Sequence, residues 1–250
     1  PVSKGLGLIT PFGMHHFFVS DIHQDQVVFS DEQAHQIGRV LRLRPGERVM
    51  VLDNAGWQYE AELVEVGRRV TAVLHARQPA ANEPAMHLTL FQAVLKRDNF
   101  EWVLQKGTEI GVTRFVPLIT ERTVAHPPHK LERWQRILTE AAEQSRRGRI
   151  PQLAEPVRLA DAWAEAQAAE LALLPWEGAA QETLAAALAG KRPSTIAILI
   201  GPEGGWTDDE VGNGRARGLI PVTLGARILR AETAAIVSAA LSMQLIGELG

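Results

Sequence analysis

Two glycine-bearing segments near the end of the chain have residue types that suit ligand binding. An aliphatic run at 195–200 predicts a buried strand, and it leads directly into Gly-Pro-Glu-Gly-Gly-Trp at 201–206. A second short run at 222–224 leads into residues 225–230. Ligands of open α/β sheets bind outside the carboxyl ends of strands, where glycines allow a close approach to the main chain. We therefore predict one pocket between both segments, whose exposed amides and carbonyls suit an adenine ring and ribose.

Neither segment has the pattern of a common phosphate-binding loop. No Lys-Ser or Lys-Thr ends a Gly-x-x-x-x-Gly run, and no Gly-x-Gly-x-x-Gly opens a helix. These absences disfavour a triphosphate ligand and argue against a dinucleotide-dependent oxidoreductase, which the alternating strands and helices would otherwise suggest. A metalloenzyme is a weaker alternative, because His126 and His129 are separated by two prolines and the chain has no cysteine. We therefore predict no metal.

The composition of the 250-residue chain is typical of a globular protein, with 46% hydrophobic residues and a net charge of −3. No apolar run approaches the roughly 20 residues that a membrane-spanning helix needs, and no signal-peptide pattern begins the chain. We therefore expect a cytoplasmic protein without a membrane partner. The 21 arginines against five lysines fit phosphate recognition, although high-GC codon usage explains the same bias equally well.

The hydropathy pattern divides the chain into regions of different type. Residues 1–13 have no periodic pattern and are expected to form a tail. Closely spaced strand patterns over 14–80 predict a small β-barrel, in which Ser30 and Gln33 form a capping box that opens a short helix. A linker is expected at 81–87. Strands then alternate with helices over 88–250, which predicts an α/β domain with a largely parallel sheet covered on both faces.

The last helix is expected to begin near Glu232, and apolar residues occupy nearly every side of it. Such a helix is buried within its own chain or at a subunit contact. A second capping box, Thr207 with Glu210, predicts that another helix begins directly after the first glycine segment.

Taken together, the motifs resemble those of the RsmE family, 16S ribosomal RNA uridine-N3 methyltransferases of the SPOUT superfamily. The segments that carry the resemblance read LIGPEGGW at 199–206, LGARILRAETA at 224–234, HQIGRVLR at 35–42, QKGTEIGV at 105–112, ER at 121–122, and EQS at 143–145 followed by Arg147, Arg149 and Pro151.

The resemblance implies a PUA-like barrel that helps to hold RNA and a C-terminal methyltransferase domain folded as a trefoil knot. It implies a homodimer with the knot helices at the contact, the small ribosomal subunit as partner, and methylation of N3 of one uridine in 16S rRNA. S-adenosylmethionine would lie among three loops of the knot. The residues that map to these loops are Leu173, Leu174, Pro175, Ile200, Gly201, Pro202, Glu203, Gly204, Gly205, Leu224, Gly225, Arg227, Ile228, Leu229, Thr233 and Ala234.

Given that reaction, Arg230 and Glu232 are the candidate catalytic residues. Uridine N3 carries a proton and is a poor nucleophile until it loses it, and a guanidinium stabilises the resulting anion through a charge-assisted hydrogen bond. Arg230 directly follows the second loop and is predicted to act in this way. Glu232 is the candidate base, but we favour loss of the proton to water or RNA. The structural alternative is that Arg230 only pairs with Glu232 or caps a helix.

Five basic residues are the candidates for RNA contact. Arg39 and Arg42 are three residues apart and are expected on one face of the short N-terminal helix. Arg147 and Arg149 are expected to end a long helix, and the negative dipole end of that helix could account for one of the two. Lys106 could contact RNA or form a simple ion pair with Glu109. A non-catalytic RNA-binding protein that keeps an inert methyltransferase domain remains the alternative function.

Overall fold

A computed structural model of the chain describes residues 13–80, 82–124, 131–179 and 182–249. The described residues group into two compact units. The first ends at Asn82 and also includes the short segment Arg146–Arg149, and the second contains Glu83–Ser145 and the chain from Ile150 onward. The expected tail at 1–13 lies outside the described residues except for Gly13, and so do His126 and His129.

The first unit is built on a six-stranded sheet in the order β1-β4-β5-β6-β3-β2. Its strands β1 and β4 are parallel and its other pairs are antiparallel. Alternate residues of the strands point into one apolar core, which also takes Ile37 from the short helical region. The elements are β1 His16–Phe18, β2 Ile22–His23, β3 Gln26–Val28, α1 Asp31–His35, a π-helical segment Gln36–Val40, β4 Arg48–Leu52, β5 Trp57–Val66 and β6 Val70–Pro79.

The short helix α1 begins at the predicted capping box, but it continues into a π-helical segment that the sequence did not predict. Both hydrogen bonds of the capping box between Ser30 and Gln33 are present, which confirms that prediction. The expectation that Arg39 and Arg42 share one helix face is wrong. Arg39 lies in the wider π-helical turn, whereas Arg42 follows the helical region with a left-handed φ of 56°. The amide of Leu43 donates to the carbonyl of Ile37, so the chain has already turned at Arg42.

The second unit has a seven-stranded sheet in the order β10-β8-β7-β12-β11-β13, with β9 beside β8. Every strand pair described in it is parallel, as predicted. The elements are β7 His87–Ala93, α2 Asn99–Ile110, β8 Arg114–Ile119, α3 Leu131–Gln144, β9 Gln152–Leu153, β10 Val157–Arg158, α4 Leu159–Gln167, β11 Leu171–Pro175, α5 Leu184–Leu188, β12 Thr195–Ile200, α6 Asp208–Ala216, β13 Ile220–Val222 and α7 Ala231–Ile246.

Both faces of this sheet are buried, which explains its nearly continuous aliphatic strands. In β12, Ile196, Ile198 and Ile200 pack into one core, while Ala197 and Leu199 pack into a second core on the other face. In the part of the chain that the structure describes, no helix is both long enough and apolar enough to cross a membrane.

The strand expected at 222–224 lies two residues earlier, at Ile220–Val222. The Oγ1 of Thr223 accepts the amide hydrogen of Gly225, so the chain turns where the pattern predicted that the strand would continue. The capping box of Thr207 and Glu210 at the start of α6 is confirmed.

The strand order positions the site. Because β7, β12, β11 and β13 are neighbours and parallel, the segments that follow them leave the sheet at the same carboxyl edge. These segments come from distant parts of the sequence, including both glycine-bearing segments, and they can therefore line one site.

Two helical glycines give a test of the packing in the second unit. A Cβ at Gly107 of α2 would lie 2.8 Å from two ring carbons of the fully buried Phe115, whereas a Cβ at Gly212 of α6 would meet open space. We expect Gly107→Ala to destabilise the protein by about 1–3 kcal/mol through overpacking. Gly212→Ala should instead stabilise it by about 0.5–1 kcal/mol, because alanine favours the helix. Urea unfolding measures both changes, and equal shifts in the two variants would contradict the packing described.

Candidate functional site

The two glycine-bearing segments line one cavity of about 470 Å³ at the carboxyl edge of the second unit's sheet. Pro175 at the end of β11 and Asn99 at the start of α2 also contribute to its wall. A smaller cavity of about 110 Å³ adjoins it and is lined by residues 223–229 together with Pro175–Glu177 and Ala234. The structure thus brings together the segments after β11, β12 and β13.

Trp206 connects two of these segments. Its Nε1–H donates to the carbonyl of Pro175 across 3.2 Å, and its side chain is buried. A Cβ at Gly201 would lie only 3.2 Å from the indole ring, so glycine lets the segment after β12 pass close to it. Gly205 has a left-handed φ of 70° and donates to the carbonyl of Pro202, which closes the turn. Contacts within the protein therefore fix the conformation of residues 201–206.

Two carboxylates fix the same segment to its neighbours. Glu203 accepts the amide hydrogen of Lys96, which follows β7, across 2.8 Å. Glu210 accepts the amide hydrogens of Glu121 and Thr207. Both carboxylates are thus engaged by main-chain donors, and Glu203, a predicted cofactor residue, has a positioning role that the sequence did not reveal.

The segment after β13 leaves its main chain open. Gly225 has φ of 114°, and a Cβ there would meet no atom within 4 Å. Among the described residues, no hydrogen-bond acceptor is found for the main-chain amides at 226–229. Ile228 is 87% exposed although it lines both cavities. An apolar side chain and free amides in one wall form a surface that a nucleoside can both pack against and hydrogen-bond.

Three of the predicted cofactor residues lie apart from the cavity. Leu173 and Leu174 are fully buried within β11, and only Pro175 of that group reaches the wall. Thr233 lines a neighbouring groove instead. The other predicted cofactor residues line one or both cavities. They are Ile200, Gly201, Pro202, Glu203, Gly204, Gly205, Leu224, Gly225, Arg227, Ile228, Leu229 and Ala234.

That neighbouring groove has a volume of about 890 Å³ and runs between α2, α3 and the start of α7. Five carboxylates and two arginines line it, so its net charge is negative. Arg133 donates to the Oε2 of Glu101 across 2.6 Å, and this hydrogen bond raises the pKa of Arg133. The remaining lining residues are Asp98, Asn99, Trp102, Gln105, Glu109, Ile137, Glu140, Ala141, Gln144, Arg230, Glu232 and Thr233.

Arg230 and Glu232 lie where the 470 Å³ cavity meets the groove, because both residues line both spaces. Arg230 is exposed and is the N-cap residue of α7, but its side chain makes no capping hydrogen bond. Glu232 is 8% exposed in the first turn of the same helix. No ion pair joins these two residues in the described part of the chain. No contact among the described residues therefore supports the alternative that Arg230 only pairs with Glu232 or caps α7.

Asn99 and Trp102 belong to the site although no sequence pattern indicated them. Asn99 is the third residue that lines both the cavity and the groove, and Trp102 is 48% exposed in the groove wall one helical turn later. An asparagine and a tryptophan three residues apart have no distinctive pattern. Only their position beside Arg230 in the folded chain singles them out.

The five RNA candidates have different surroundings. Arg39 and Arg42 are exposed, and Arg149 is exposed and donates to the carbonyl of Ala55 across 2.7 Å. Lys106 forms an ion pair with Glu109 at 2.8 Å, which is the alternative to RNA contact that its spacing indicated. Arg147 is only 3% exposed, which does not fit a surface contact with RNA. Among the residues that the structure describes, no group of three possible metal ligands is found.

Comparison with known proteins gives matches over nearly the whole chain. Residues 82–243 match a family model described as RNA methyltransferase domain, and residues 29–73 match RNA methyltransferase PUA domain. Ribosomal RNA small subunit methyltransferase E from Synechocystis is 42% identical over 217 residues, which cover 86% of this chain and 71% of that protein.

Solved structures agree with these matches. The crystal structure of a ribosomal RNA small subunit methyltransferase E from Neisseria gonorrhoeae bound to S-adenosyl methionine has a TM-score of 0.82 at 30% identity and covers 93% of this chain and 98% of its own. A methyltransferase from Legionella pneumophila in complex with the same cofactor has a TM-score of 0.83 at 28% identity, covering 92% and 97%.

Trp206 provides a test of how the cavity is held together. Trp206→Phe keeps an aromatic ring but removes the hydrogen bond to the carbonyl of Pro175, and a lost hydrogen bond of this kind costs about 1 kcal/mol. We expect S-adenosylmethionine, the ligand that the resemblance implies, to bind about fivefold more weakly by calorimetry. The control is Trp163→Phe, which changes a buried tryptophan of the same core that lines neither cavity. Equal losses in both variants would contradict a role for this hydrogen bond in the cavity.

Proposed function

The chain belongs to the family of RNA methyltransferases that includes ribosomal RNA small subunit methyltransferase E, and on this premise we propose that it methylates N3 of one uridine in 16S rRNA. The methyl donor is S-adenosylmethionine. The observation that carries the proposal is the junction of two spaces: a cavity walled by main chain opens beside a larger groove, and Asn99, Arg230 and Glu232 border both. A donor in one space can there meet an acceptor in the other.

The 470 Å³ cavity suits the donor. Its volume lies within the usual range of about 300–1,000 Å³ for small-molecule sites. Ile200, Ile228, Leu229 and Ala234 offer apolar surface for an adenine ring. The amides at 228 and 229, for which no acceptor is found among the described residues, offer hydrogen-bond donors to polar groups. When bound, S-adenosylmethionine supplies an activated methyl group, so this chain's own contribution is to position the reactants and handle a proton.

The larger groove suits the acceptor base. Its negative lining disfavours RNA phosphates, whereas an uncharged uracil carries no such penalty. A base inside a folded RNA must leave its stack to be methylated, and proteins commonly hold such bases against aromatic side chains. The half-exposed Trp102 offers that surface in the groove wall, close along α2 to Asn99. The groove would thus admit the base and exclude the backbone.

Arg230 would assist the loss of the N3 proton. As N3 is deprotonated, negative charge spreads onto the two neighbouring carbonyl oxygens, and the exposed guanidinium at the junction can donate hydrogen bonds to one of them. The proton would go to water or RNA. Glu232 is the alternative acceptor, because it borders the same junction and forms no ion pair with Arg230 in the described part of the chain.

Membership of this family also leads to proposals for the domains, the partner and the RNA contacts. We propose that 14–80 is a PUA-like RNA-binding domain, that 81–87 is a linker, and that 88–250 is a trefoil-knotted methyltransferase domain. The enzyme would work on the small ribosomal subunit in the cytoplasm. Arg39, Arg42 and Arg149 would contact RNA phosphates, with a smaller contribution from Lys106, which is paired with Glu109; the buried Arg147 is left out of this set.

We also propose a homodimer with α7 at the contact. Leu241 and Leu245 lie one turn apart on this helix and are both exposed, so they leave an apolar stripe uncovered in the single chain. Exposed apolar side chains in a row commonly mark a protein interface.

Arg230→Gln tests the proton handling. The substitution removes the charge but keeps a hydrogen-bond donor, so we expect kcat to fall about 100-fold while S-adenosylmethionine affinity stays unchanged. The rate should also keep rising to higher pH than in the wild type, because the N3 anion loses its stabilising cation. Single-turnover methylation of small subunits across pH measures both effects. Arg158→Gln, which removes the same charge outside the cavity and the groove, is the control, and an unchanged rate for Arg230→Gln would reject the role.

Leu241→Glu tests the dimer. A charge on each copy would be buried at the contact without a partner, which is strongly unfavourable, so sedimentation should find monomers. Val64→Glu places the same charge at an exposed valine of β5 and should leave the dimer intact. Dimers that persist in Leu241→Glu, or a wild type that is monomeric, would exclude α7 as the interface.

A further inference from the structure

The first unit carries a group of aromatic and arginine side chains of which only Arg149 has a role in the function proposed above. This group, here the Trp57 cluster, consists of Trp57 and Tyr59 on β5, Arg77 on β6, and Arg149 beside the turn before β5. All four belong to the same compact unit.

Arg77 and Trp57 are stacked. The guanidinium carbon of Arg77 lies 3.9 Å from the centre of the Trp57 ring and 5.8 Å from that of Tyr59. The pairing of β5 with β6 places Tyr59 directly opposite Arg77 and so sets this arrangement. Trp57 nevertheless keeps 36% of its surface exposed. A large ring is therefore held in a fixed orientation with part of it open to solvent.

Arg149 lies over the adjoining turn. Its Nη2 donates to the carbonyl of Ala55 across 2.7 Å, and a Cβ at Gly56 would come within 2.9 Å of the same nitrogen. Gly56, with φ of 99°, thus lets the guanidinium approach the main chain next to Trp57. Two arginine side chains therefore accompany the exposed ring.

The carboxylates on neighbouring positions are already engaged elsewhere. Glu60 pairs with Arg48, Glu62 lies 3.5 Å from the Nε2 of His75, and Asp53 accepts the amide hydrogens of the turn. Within the described ranges, Arg77 forms no ion pair with a carboxylate. No carboxylate in the described part of the chain therefore neutralises its charge, and its N–H groups remain available to an anion.

We propose that the Trp57 cluster binds one unpaired nucleotide of the RNA substrate. The base stacks on the exposed surface of Trp57, Arg77 donates hydrogen bonds to an adjoining phosphate, and Arg149 adds positive charge beside the same ring. Aromatic rings combined with arginines are the usual means of holding single-stranded RNA, because every base has a face that can stack. The inference rests on the proposed function in assuming an RNA substrate, but it concerns a site remote in sequence from the methyl-transfer residues.

The test is the kinetics of methyl transfer to small ribosomal subunits isolated from cells that lack this protein. Trp57→Ala should raise KM for the subunits about tenfold, the scale expected for one lost base stack, while kcat and S-adenosylmethionine affinity stay unchanged. Trp57→Phe should restore most of the affinity, which a merely structural role of the indole would not predict, and the melting temperatures of both variants show whether they are folded.

Salt dependence separates stacking from charge. The slope of log KM against log salt should fall by about 0.7 in Arg77→Gln, which loses one phosphate contact, and should not change in Trp57→Ala. Arg68→Gln removes the same charge from an exposed arginine in the turn between β5 and β6 and serves as the matched control. Equal slopes for Arg77→Gln and Arg68→Gln would overturn the phosphate contact.

The possible failures are distinguishable. A wild-type protein that transfers no methyl group to the subunits would reject the proposed function. Normal methylation by the wild type with an unchanged KM in folded Trp57→Ala would reject the Trp57 cluster alone.

Discussion

The site depends on one constraint, the parallel order of β7, β12, β11 and β13 in a sheet buried on both faces. Parallel neighbours release their following segments at one edge, so segments that are far apart in sequence meet there. The hydrogen bond from Trp206 to the carbonyl of Pro175 and the one from the amide of Lys96 to Glu203 then join neighbouring segments. The main-chain amides at 226–229 have no acceptor among the described residues and could therefore hydrogen-bond a nucleoside.

The groove beside Arg230 and the Trp57 cluster differ in charge, and each would suit a different part of the proposed RNA substrate. The groove beside Arg230 is lined mainly by carboxylates, which suits a neutral base and opposes phosphate. The Trp57 cluster has the reverse character, because Arg77 forms no ion pair with a carboxylate among the described residues. The small net charge of −3 therefore does not show that the chain has one negatively and one positively charged surface. The first would suit the base and the second the phosphates of the proposed RNA substrate.

Local patterns in the sequence predicted local structure well. The run at 195–200 is β12 as expected, and the capping boxes at Ser30 and Thr207 are both present, because these features depend on side chains a few residues apart. Errors arose where a nearby turn altered the pattern. Thr223 leaves β13, pairs with Thr183 and accepts the amide hydrogen of Gly225, and Arg42 turns left-handed after the π-helical segment that contains Arg39. Both changes involve main-chain geometry that hydropathy does not record.

The sequence by itself determined the class of the second unit, its buried strands and the identity of both glycine-bearing segments, because periodicity and glycine placement are local properties. The family motifs added the donor and the reaction. Only the tertiary structure decided that Leu173 and Leu174 lie in the core, that Arg147 is buried, and that Asn99 and Trp102 border the same space as Arg230. The reason is physical: burial and neighbourhood follow from which strands and helices pack together, and spacing along a single chain does not specify that.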